Sequence, residues 1–234
     1  MRFAILGTGI VGSTLGSALL AAGHEVRMGS RSASNPRAAE WARDAHADGR
    51  ASHGTFADAA AFGDIVFNCT SGVASLAALE ATGRENLRGK ILIDVANPLD
   101  FSRGMPPSLT VCNTDSLGEQ IQRALPETRV VKTLNTINCL VMVDPGRVPG
   151  DHVVFLSGND AAAKQVVAAG LSDWFGWDRR NIIDLGDITS ARGTEMFLPL
   201  WVRLMMTVGS ADFNLNLVRA RPASLELGEP TAVH

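Results

Sequence analysis

The sequence of 234 residues predicts an α/β fold, in which a doubly wound, mainly parallel sheet is followed by a smaller C-terminal α/β segment. Short apolar runs alternate with helix-length segments through the first two thirds of the chain, which is typical of right-handed βαβ crossovers. The apolar runs are continuous rather than interrupted by polar residues. Continuous runs indicate strands that helices cover on both faces of the sheet.

The elements of the first domain, residues 1–143, follow from these patterns and from the residues that end helices. The predicted strands are 3–6, 25–28, 65–69, 91–95 and 129–134, and the predicted helices are 11–22, 38–47, 74–79 and 117–125. Gly23 follows the first helix at the position where a left-handed glycine commonly ends one. Pro126 follows the last helix, which proline cannot continue.

The sequence pattern changes after Val143, where two turn clusters occur, Asp144-Pro145-Gly146 and Val148-Pro149-Gly150. We therefore expect residues 144–234 to form a smaller segment that packs on the first domain. Its predicted elements are a strand at 153–156, a helix at 161–175, a strand at 182–185 and a long helix over 190–208, with a loose end at 219–234.

The composition excludes several classes of protein. Apolar residues make up 46% of the chain and the net charge is only −3, so the chain has enough apolar residues for a core and is not disordered. The same balance gives no overall positive field that would attract nucleic acid or an anionic membrane. The apolar stretch 196–208 contains Arg203 and is shorter than the ~20 residues of a membrane span.

The cysteines and histidines predict no metal site. Cys69, Cys112 and Cys139 are widely spaced, which indicates neither a disulfide framework nor a CxxC motif. Reduced thiols are expected of a cytoplasmic protein. The five histidines lack the spacing of metal ligands and are predicted to lie on the surface.

The strongest motif is Gly7-Thr8-Gly9-Ile10-Val11-Gly12, which follows a predicted strand and opens a predicted helix. This is the context of the dinucleotide fingerprint, in which the first glycine allows a tight turn and the second lets the backbone approach a pyrophosphate. The helix N-terminus offers free N–H groups to the phosphates. The alternative is a glycine-rich turn without a ligand. The motif favours a Rossmann dinucleotide-binding domain.

The end of the second predicted strand indicates which dinucleotide binds. An NAD-selecting fold has Asp or Glu about 20 residues after the glycine loop, whereas this sequence has Ser30 and Arg31. A serine hydroxyl can donate to a 2′-phosphate, and an arginine can pair with it and stack on the adenine. Arg37 is a candidate second cation. NADPH is therefore favoured over NADH, although Arg31 could also be a solvated loop residue.

Four segments together resemble the coenzyme F420-dependent NADP oxidoreductase family: GTGIVGSTLG, GHEVRMGSR, VVKTLNTI and DITSARGTEMFLPLWVRLM. The resemblance extends from Met1 to about Val218. It implies that the nicotinamide lies over the carboxyl ends of the strands, flanked by Thr70-Ser71, Ala96-Asn97-Pro98 and Asn135-Thr136-Ile137. It also implies hydride transfer between NADP(H) and a deazaflavin, with coenzyme F420 as co-substrate, in a homodimer. The archaeal enzymes of the family have histidine where this chain has Asn135.

The predicted strand ends also indicate the kind of acceptor. They hold small and amide side chains, which leave space for a flat ring. The chain contains no tyrosine and therefore no Tyr–Lys dyad. A flavin-like acceptor needs no acid from the protein, whereas a ketone does. Lys132 is a conceivable acid, but it lies inside a predicted strand, and we expect it to be structural or paired. Glu195 either caps its own helix or holds another loop.

These observations predict an NADPH-dependent oxidoreductase with a small-molecule hydride acceptor. Two alternatives stay open: another acceptor, such as a flavin, a quinone or an electron-transfer partner, and an NADP-binding module without turnover. We expect the acceptor ring to stack beside Asn97, Asn135, Thr136 and Ile137. The helix over 190–208 is expected to close this pocket near Met196 and Leu200 and to contribute to a dimer interface.

Overall fold

The computed structural model of the protein describes residues 1–45 and 49–218. Its strands are β1 (Arg2–Leu6), β2 (Glu25–Ser30), β3 (Ala51–Thr55), β4 (Ile65–Asn68), β5 (Ile91–Asp94), β6 (Leu99–Asp100), β7 (Ser108–Leu109), β8 (Arg129–Thr133), β9 (Val154–Ser157) and β10 (Ile182–Asp184). Its α-helices are α1 (Ile10–Ala21), α2 (Pro36–Asp44), α3 (Phe56–Phe62), α4 (Gly72–Glu80), α5 (Arg84–Leu87), α6 (Leu117–Ala124), α7 (Cys139–Val143), α8 (Ala161–Phe175), α9 (Ala191–Met196) and α10 (Leu198–Val208).

Eight of the described strands form one sheet in the order β10-β9-β8-β5-β4-β1-β2-β3. Neighbouring strands are parallel except for β8 and β9, while β6 and β7 form a separate antiparallel hairpin. The chain adds β2 and β3 on one side of β1 and then places β4 on the other side. Sheets of this kind bind ligands beyond the strand carboxyl ends at such a reversal. The predicted doubly wound, mainly parallel sheet is confirmed.

Each face of the sheet has its own apolar core because successive strand residues point to opposite faces. Phe3 and Ile5 of β1 belong to one cluster, which α1 and α8 cover. Ala4 and Leu6 belong to the other, together with residues of α3, α4 and α6. Both faces are therefore buried, as the continuous apolar runs predict.

Six of the described strands and α-helices are absent from the sequence-based prediction: β3, α3, α5, β6, β7 and α7. Strand β3 (ASHGT) lies at the edge of the sheet and lacks an apolar run. Helix α3 follows it directly and starts with a capping box, in which the Thr55 and Asp58 side chains bond each other's backbone N–H groups. The predicted helix 38–47 corresponds to α2, which begins at Pro36 and ends at Asp44.

The prediction of a single long helix over 190–208 is wrong. The segment forms α9 and α10, which meet at Phe197. Pro199 lies in the first turn of α10 and has no N–H to donate to the carbonyl of Glu195. Proline is tolerated in a first turn but interrupts a helix interior, which explains the division.

Strands β9 and β10 continue the sheet beyond residue 143, because β9 pairs antiparallel with β8. The domain boundary at residue 143 stays a prediction. The segment 219–234, predicted to be loose, lies outside the described residues. Among the helices that the structure describes, each is too short or too polar to cross a membrane.

Candidate active site

The turn between β1 and α1 has the backbone geometry of a phosphate cradle. Gly7 has φ +117°, and a Cβ there would lie 2.7 Å from the Cys69 carbonyl oxygen. A Cβ at Gly12 would collide with the Gly7 carbonyl oxygen, whereas one at Gly9 would meet no described atom within 4 Å. Among the described residues, α1 has neither a side-chain cap nor an acidic residue in its first turn. Its first N–H groups therefore face open space with a partial positive charge.

A first cleft of about 560 Å³ runs from this turn past the end of β2 to α4. Its lining residues are Gly7, Thr8, Gly9, Ser30, Arg31, Asn35, Phe56, Cys69, Thr70, Ser71, Ala74, Ala77, Ala78 and Ala81. The open space over Gly9 and the uncapped helix start fit a dinucleotide pyrophosphate. The lining thus brings together three segments that the sequence predicts to bind the cofactor: the glycine turn, the end of β2 and Thr70-Ser71.

The polar residues at and after the end of β2 differ in their exposure and in their contacts. Arg31 is exposed and makes no ion pair with any residue that the structure describes. Ser30 lines the cleft, and its hydroxyl donates to the Ser32 carbonyl (2.6 Å); its donation to a 2′-phosphate stays a prediction. Arg37 is exposed on α2, outside the described lining. Asn35 also lines the cleft, and the sequence did not predict it as a site residue. The one local signal was that asparagine before proline is a common helix start.

A second cleft of about 260 Å³ adjoins the first and shares Cys69, Thr70 and Ser71 with it. Its other lining residues are Val11, Gly72, Val95, Ala96, Asn97, Leu99 and Phe101. It lies beyond the carboxyl ends of β4 and β5. Cys69 is the one titratable side chain in this described lining, and burial raises the pKa of its thiol, so the thiol stays neutral.

The third predicted strand end is buried rather than open. The Asn135 Nδ2 donates to the Asn97 Oδ1 (2.9 Å), and the Asn97 Nδ2 donates to the Asn135 carbonyl (2.8 Å). Thr136 is buried, and Ile137 belongs to the apolar cluster that includes Cys139. Within the described linings, Asn135, Thr136 and Ile137 touch neither cleft. Their proposed contact with an acceptor stays a prediction.

The residues expected to close the pocket, Met196 and Leu200, lie outside both described linings. The Met196 sulfur accepts a hydrogen bond from the Asn113 N–H (3.3 Å). Leu200 is exposed on α10. The closing role of these two residues stays a prediction.

Lys132 is buried and paired, as predicted. Its Nζ lies 2.8 Å from a carboxylate oxygen of Asp94 and 2.8 Å from one of Glu195. Burial alone lowers the pKa of this lysine, but the two carboxylates outweigh it and hold the pKa above its ordinary value. Glu195 also accepts hydrogen bonds from the N–H groups of Leu117 and Gly118. It therefore holds the start of α6, which is the second of the two predicted alternatives.

One of the histidines predicted to lie on the surface is buried. His152 is buried, with its ring nitrogens 3.0 Å from the Pro145 carbonyl and 2.9 Å from the Asn214 Nδ2, so the prediction that it lies on the surface is wrong. Within the described residues, no three histidine, cysteine or carboxylate side chains are grouped as metal ligands.

Comparisons with known proteins show the family of this chain. Residues 2–98 match the family described as "NADP oxidoreductase coenzyme F420-dependent". An F420-dependent NADP reductase of Methanothermobacter marburgensis is 30% identical over 215 residues, which cover 87% of this chain and 92% of that protein. This chain belongs to the F420-dependent NADP oxidoreductase family. It is accordingly an NADP-dependent oxidoreductase whose cofactor is NADP(H).

Two further relatives of this NADP-dependent oxidoreductase are similar in structure or sequence. A protein of Arthrobacter sp. FB24, provisionally named an F420-dependent NADP-reductase, is 53% identical; its solved structure has a TM-score of 0.86 and matches 94% of this chain and 100% of its own. Metalloreductase STEAP3 of Rattus norvegicus is 28% identical over 86% of this chain and 38% of its own length.

Proposed function

We propose that this oxidoreductase transfers a hydride between NADP(H) and a deazaflavin of the coenzyme F420 type. The observation that carries the proposal is the continuity of the two clefts at Cys69, Thr70 and Ser71. One cleft begins at the phosphate cradle, and the other is mainly apolar and opens beyond the strand ends. A dinucleotide and a flat ring bound in this way would meet at the shared loop.

The residues of the first cleft would hold the cofactor. The backbone of Gly7-Thr8-Gly9-Ile10-Val11-Gly12 would bind the pyrophosphate. Arg31 would pair with the 2′-phosphate, with Arg37 as a second cation in its vicinity. Thr70, Ser71, Ala96, Asn97 and Asn135 would surround or support the nicotinamide end. NADPH, when bound, supplies the hydride, and the protein supplies position and a water-poor surface.

The second cleft suits an acceptor that needs no proton from a side chain. Val11, Val95 and Leu99 give it apolar walls, and the Cys69 thiol stays protonated. A deazaflavin or flavin ring spreads the incoming charge over its own heteroatoms, whereas a ketone requires an acid to protonate the alkoxide. The names of the Methanothermobacter and Arthrobacter relatives support the deazaflavin among these acceptors.

Stopped-flow absorbance of NADPH tests the proposal. NADPH and protein are mixed with F420, free flavin, a quinone or a ferric chelate, the last because a relative is named a metalloreductase. We expect rapid loss of the NADPH band with F420 and slower loss with the others. If only another acceptor oxidises NADPH, the deazaflavin is the wrong acceptor and that molecule takes its place. If all acceptors fail while NADPH binds, the protein is a binding module and the proposal is wrong.

A further inference from the structure

Lys132 occupies the centre of a buried network below the two clefts. Its side chain is 1% exposed, and those of Asp94 and Glu195 are 0% and 1% exposed. Besides the two carboxylates, its Nζ donates to the Ala96 carbonyl oxygen at 2.5 Å. An ammonium group has three donors, and these three oxygens occupy all of them.

Two branches of this network lead to two different walls of the second cleft, the Thr70–Ser71 loop that it shares with the first cleft and the Ala96–Asn97 loop. Asp94 accepts a hydrogen bond from the Asn68 Nδ2 (2.8 Å). The Asn68 Oδ1 in turn accepts from the Thr70 hydroxyl (2.6 Å) and N–H (3.3 Å). The bond from Lys132 to the Ala96 carbonyl reaches the opposite wall directly, one residue before Asn97. A single ammonium group thus holds both loops between which the proposed reaction occurs.

The third branch fixes the ammonium group from outside the sheet. Glu195 accepts from the N–H groups of Leu117 (2.8 Å) and Gly118 (3.0 Å) at the start of α6. Gly118 allows this close approach, because a Cβ there would lie 3.0 Å from the Ala191 Cβ of α9. The N-terminal end of α6 also offsets part of the excess negative charge of the two carboxylates.

Stability alone does not account for three buried charges at this position. Removing charges from water is so unfavourable that well-packed apolar residues often stabilise a core as well as a buried ion pair does or better. What the charges add is a defined geometry, because each hydrogen bond requires a particular distance and angle between the groups that it joins. The parts joined here are the two cleft walls and the α6–α9 contact.

We propose that Lys132 is a positioning residue for hydride transfer, which sets the separation of the Thr70–Ser71 loop from the Ala96–Asn97 loop. The inference rests on the proposed function, because these loops would flank the nicotinamide. Hydride transfer depends steeply on the distance between donor and acceptor, and a displacement of about 1 Å can reduce a rate by about 10²-fold. Lys132 itself touches neither cleft and acts through Asn68, Thr70 and Ala96.

Lys132→Met tests this role, since methionine has a side chain of similar length but lacks the charge and the hydrogen-bond donors. Arg192→Met is the matched control. Arg192 joins α9 to Glu119 of α6 by two hydrogen bonds (2.5 and 2.8 Å), and its loss weakens the same helix contact without reaching the clefts. Three quantities are compared with the parent protein: the affinity for 2′,5′-ADP, the fluorescence anisotropy decay of bound NADPH, and the hydride-transfer rate with its deuterium isotope effect.

We expect Lys132→Met to bind 2′,5′-ADP as the parent does, because Arg31, which would pair with the 2′-phosphate, makes no bond to the described network. The nicotinamide of bound NADPH should become more mobile. The hydride-transfer rate should fall by about tenfold or more, with an altered isotope effect. Arg192→Met should match the parent in all three. A folded Lys132→Met protein with parental nicotinamide mobility and isotope effect would overturn the inference, as would an Arg192→Met protein that reproduces the changes.

A second variant covers the case in which Lys132→Met does not fold. Glu195→Gln keeps an oxygen acceptor and the shape of the side chain but removes one charge, and we expect smaller changes of the same kind. Parental anisotropy and isotope effect in folded Glu195→Gln would then overturn the inference. Anisotropy needs no acceptor, so it still tests Lys132 if the parent transfers no hydride. A parent protein that transfers no hydride would contradict the proposed function, and this outcome is separate from the test of Lys132.

Discussion

Asn97 and Asn135 exchange two hydrogen bonds across the carboxyl ends of β5 and β8, at 2.8 and 2.9 Å. Asn97 lines the second cleft, whereas Asn135 is 3% exposed and lies within the protein. The buried Asn135 amide therefore fixes the orientation of the half-buried Asn97 amide. Asn135 can influence the site without touching a ligand, because Asn97 keeps its orientation only while both bonds remain.

Replacing Asn135 by alanine should reduce both stability and turnover. The variant removes the donor to the Oδ1 of the half-buried Asn97, and the loss of a hydrogen bond costs about 0.5–1.5 kcal/mol. Urea unfolding would measure this loss. The affinity for 2′,5′-ADP should stay unchanged, since the first cleft keeps its lining. Parental stability in the Asn135→Ala protein would show that the observed pair contributes little.

The exposed guanidinium of Arg31 should make the protein prefer NADPH. We expect NADPH to bind about tenfold more tightly than NADH, which corresponds to about 1.4 kcal/mol. Arg31→Ala should remove most of this preference and leave the NADH affinity nearly unchanged. Arg43→Ala is the control, because Arg43 is exposed on α2 and pairs with Asp44. Calorimetry that gives equal affinities for the two cofactors in the parent protein would contradict the assignment.

The sequence predicts the glycine turn well because its requirements are local. Gly7 is required by its φ of +117°, and Gly12 by its contact with the Gly7 carbonyl oxygen, so the pattern is contained in six consecutive positions. The pairing of Lys132 is also predictable, since a lysine inside a buried strand needs a counter-charge. Its partners are not, because Asp94 and Glu195 come from distant segments that only the folded chain brings together.

Other differences arise where tertiary contacts override a local pattern. Residues 190–208 keep an apolar helical period across Pro199, so the pattern hides the break between α9 and α10. Asn135, Thr136 and Ile137 follow a strand in the same way as the cleft residues do, yet they are buried. Strand order alone does not predict which strand ends stay open. The capping box of α3 was a usable local signal.

The ion pair of Glu119 with Arg192 predicts how stability depends on pH. The hydrogen bonds from Arg192 lower the pKa of this carboxyl, which is mostly buried. A group whose pKa is lower in the folded state stabilises the protein above its unfolded pKa of about 4.3. That stabilisation disappears as the pH falls through the folded pKa.

We therefore expect the stability difference between the parent protein and Arg192→Met to be largest near neutral pH and to shrink as the pH falls below about 4.3. Thermal unfolding across a pH series would measure it. Arg180→Met is the control, because Arg180 holds the pKa of Asp178 at about 2 in a pair at the protein surface. Exposed pairs contribute little, so this variant should resemble the parent. A difference for Arg192→Met that does not vary with pH would contradict the assignment.

The apolar residues on α10 predict a homodimer. Leu200, Met206 and Val208 are each more than half exposed. An exposed apolar group of this kind often marks a protein interface. Light scattering at micromolar concentration should therefore give the mass of a dimer, and Leu200→Glu should shift it towards the monomer. Val166→Glu, which places the same charge on the exposed side of α8, should leave the mass unchanged. A monomeric parent would disprove the prediction.

Phe101 should determine how well the second cleft holds an aromatic acceptor. It follows β6 directly, lines the cleft and is 56% exposed. Stacking between aromatic rings contributes about 1 kcal/mol, so Phe101→Ala should raise the KM for the acceptor by roughly fivefold. The NADPH affinity should stay unchanged, and Phe101→Trp should keep the parental KM. Met105→Ala is a further control, since Met105 is exposed in the same hairpin but lies outside the described lining. An unchanged acceptor KM in Phe101→Ala would place the acceptor ring elsewhere.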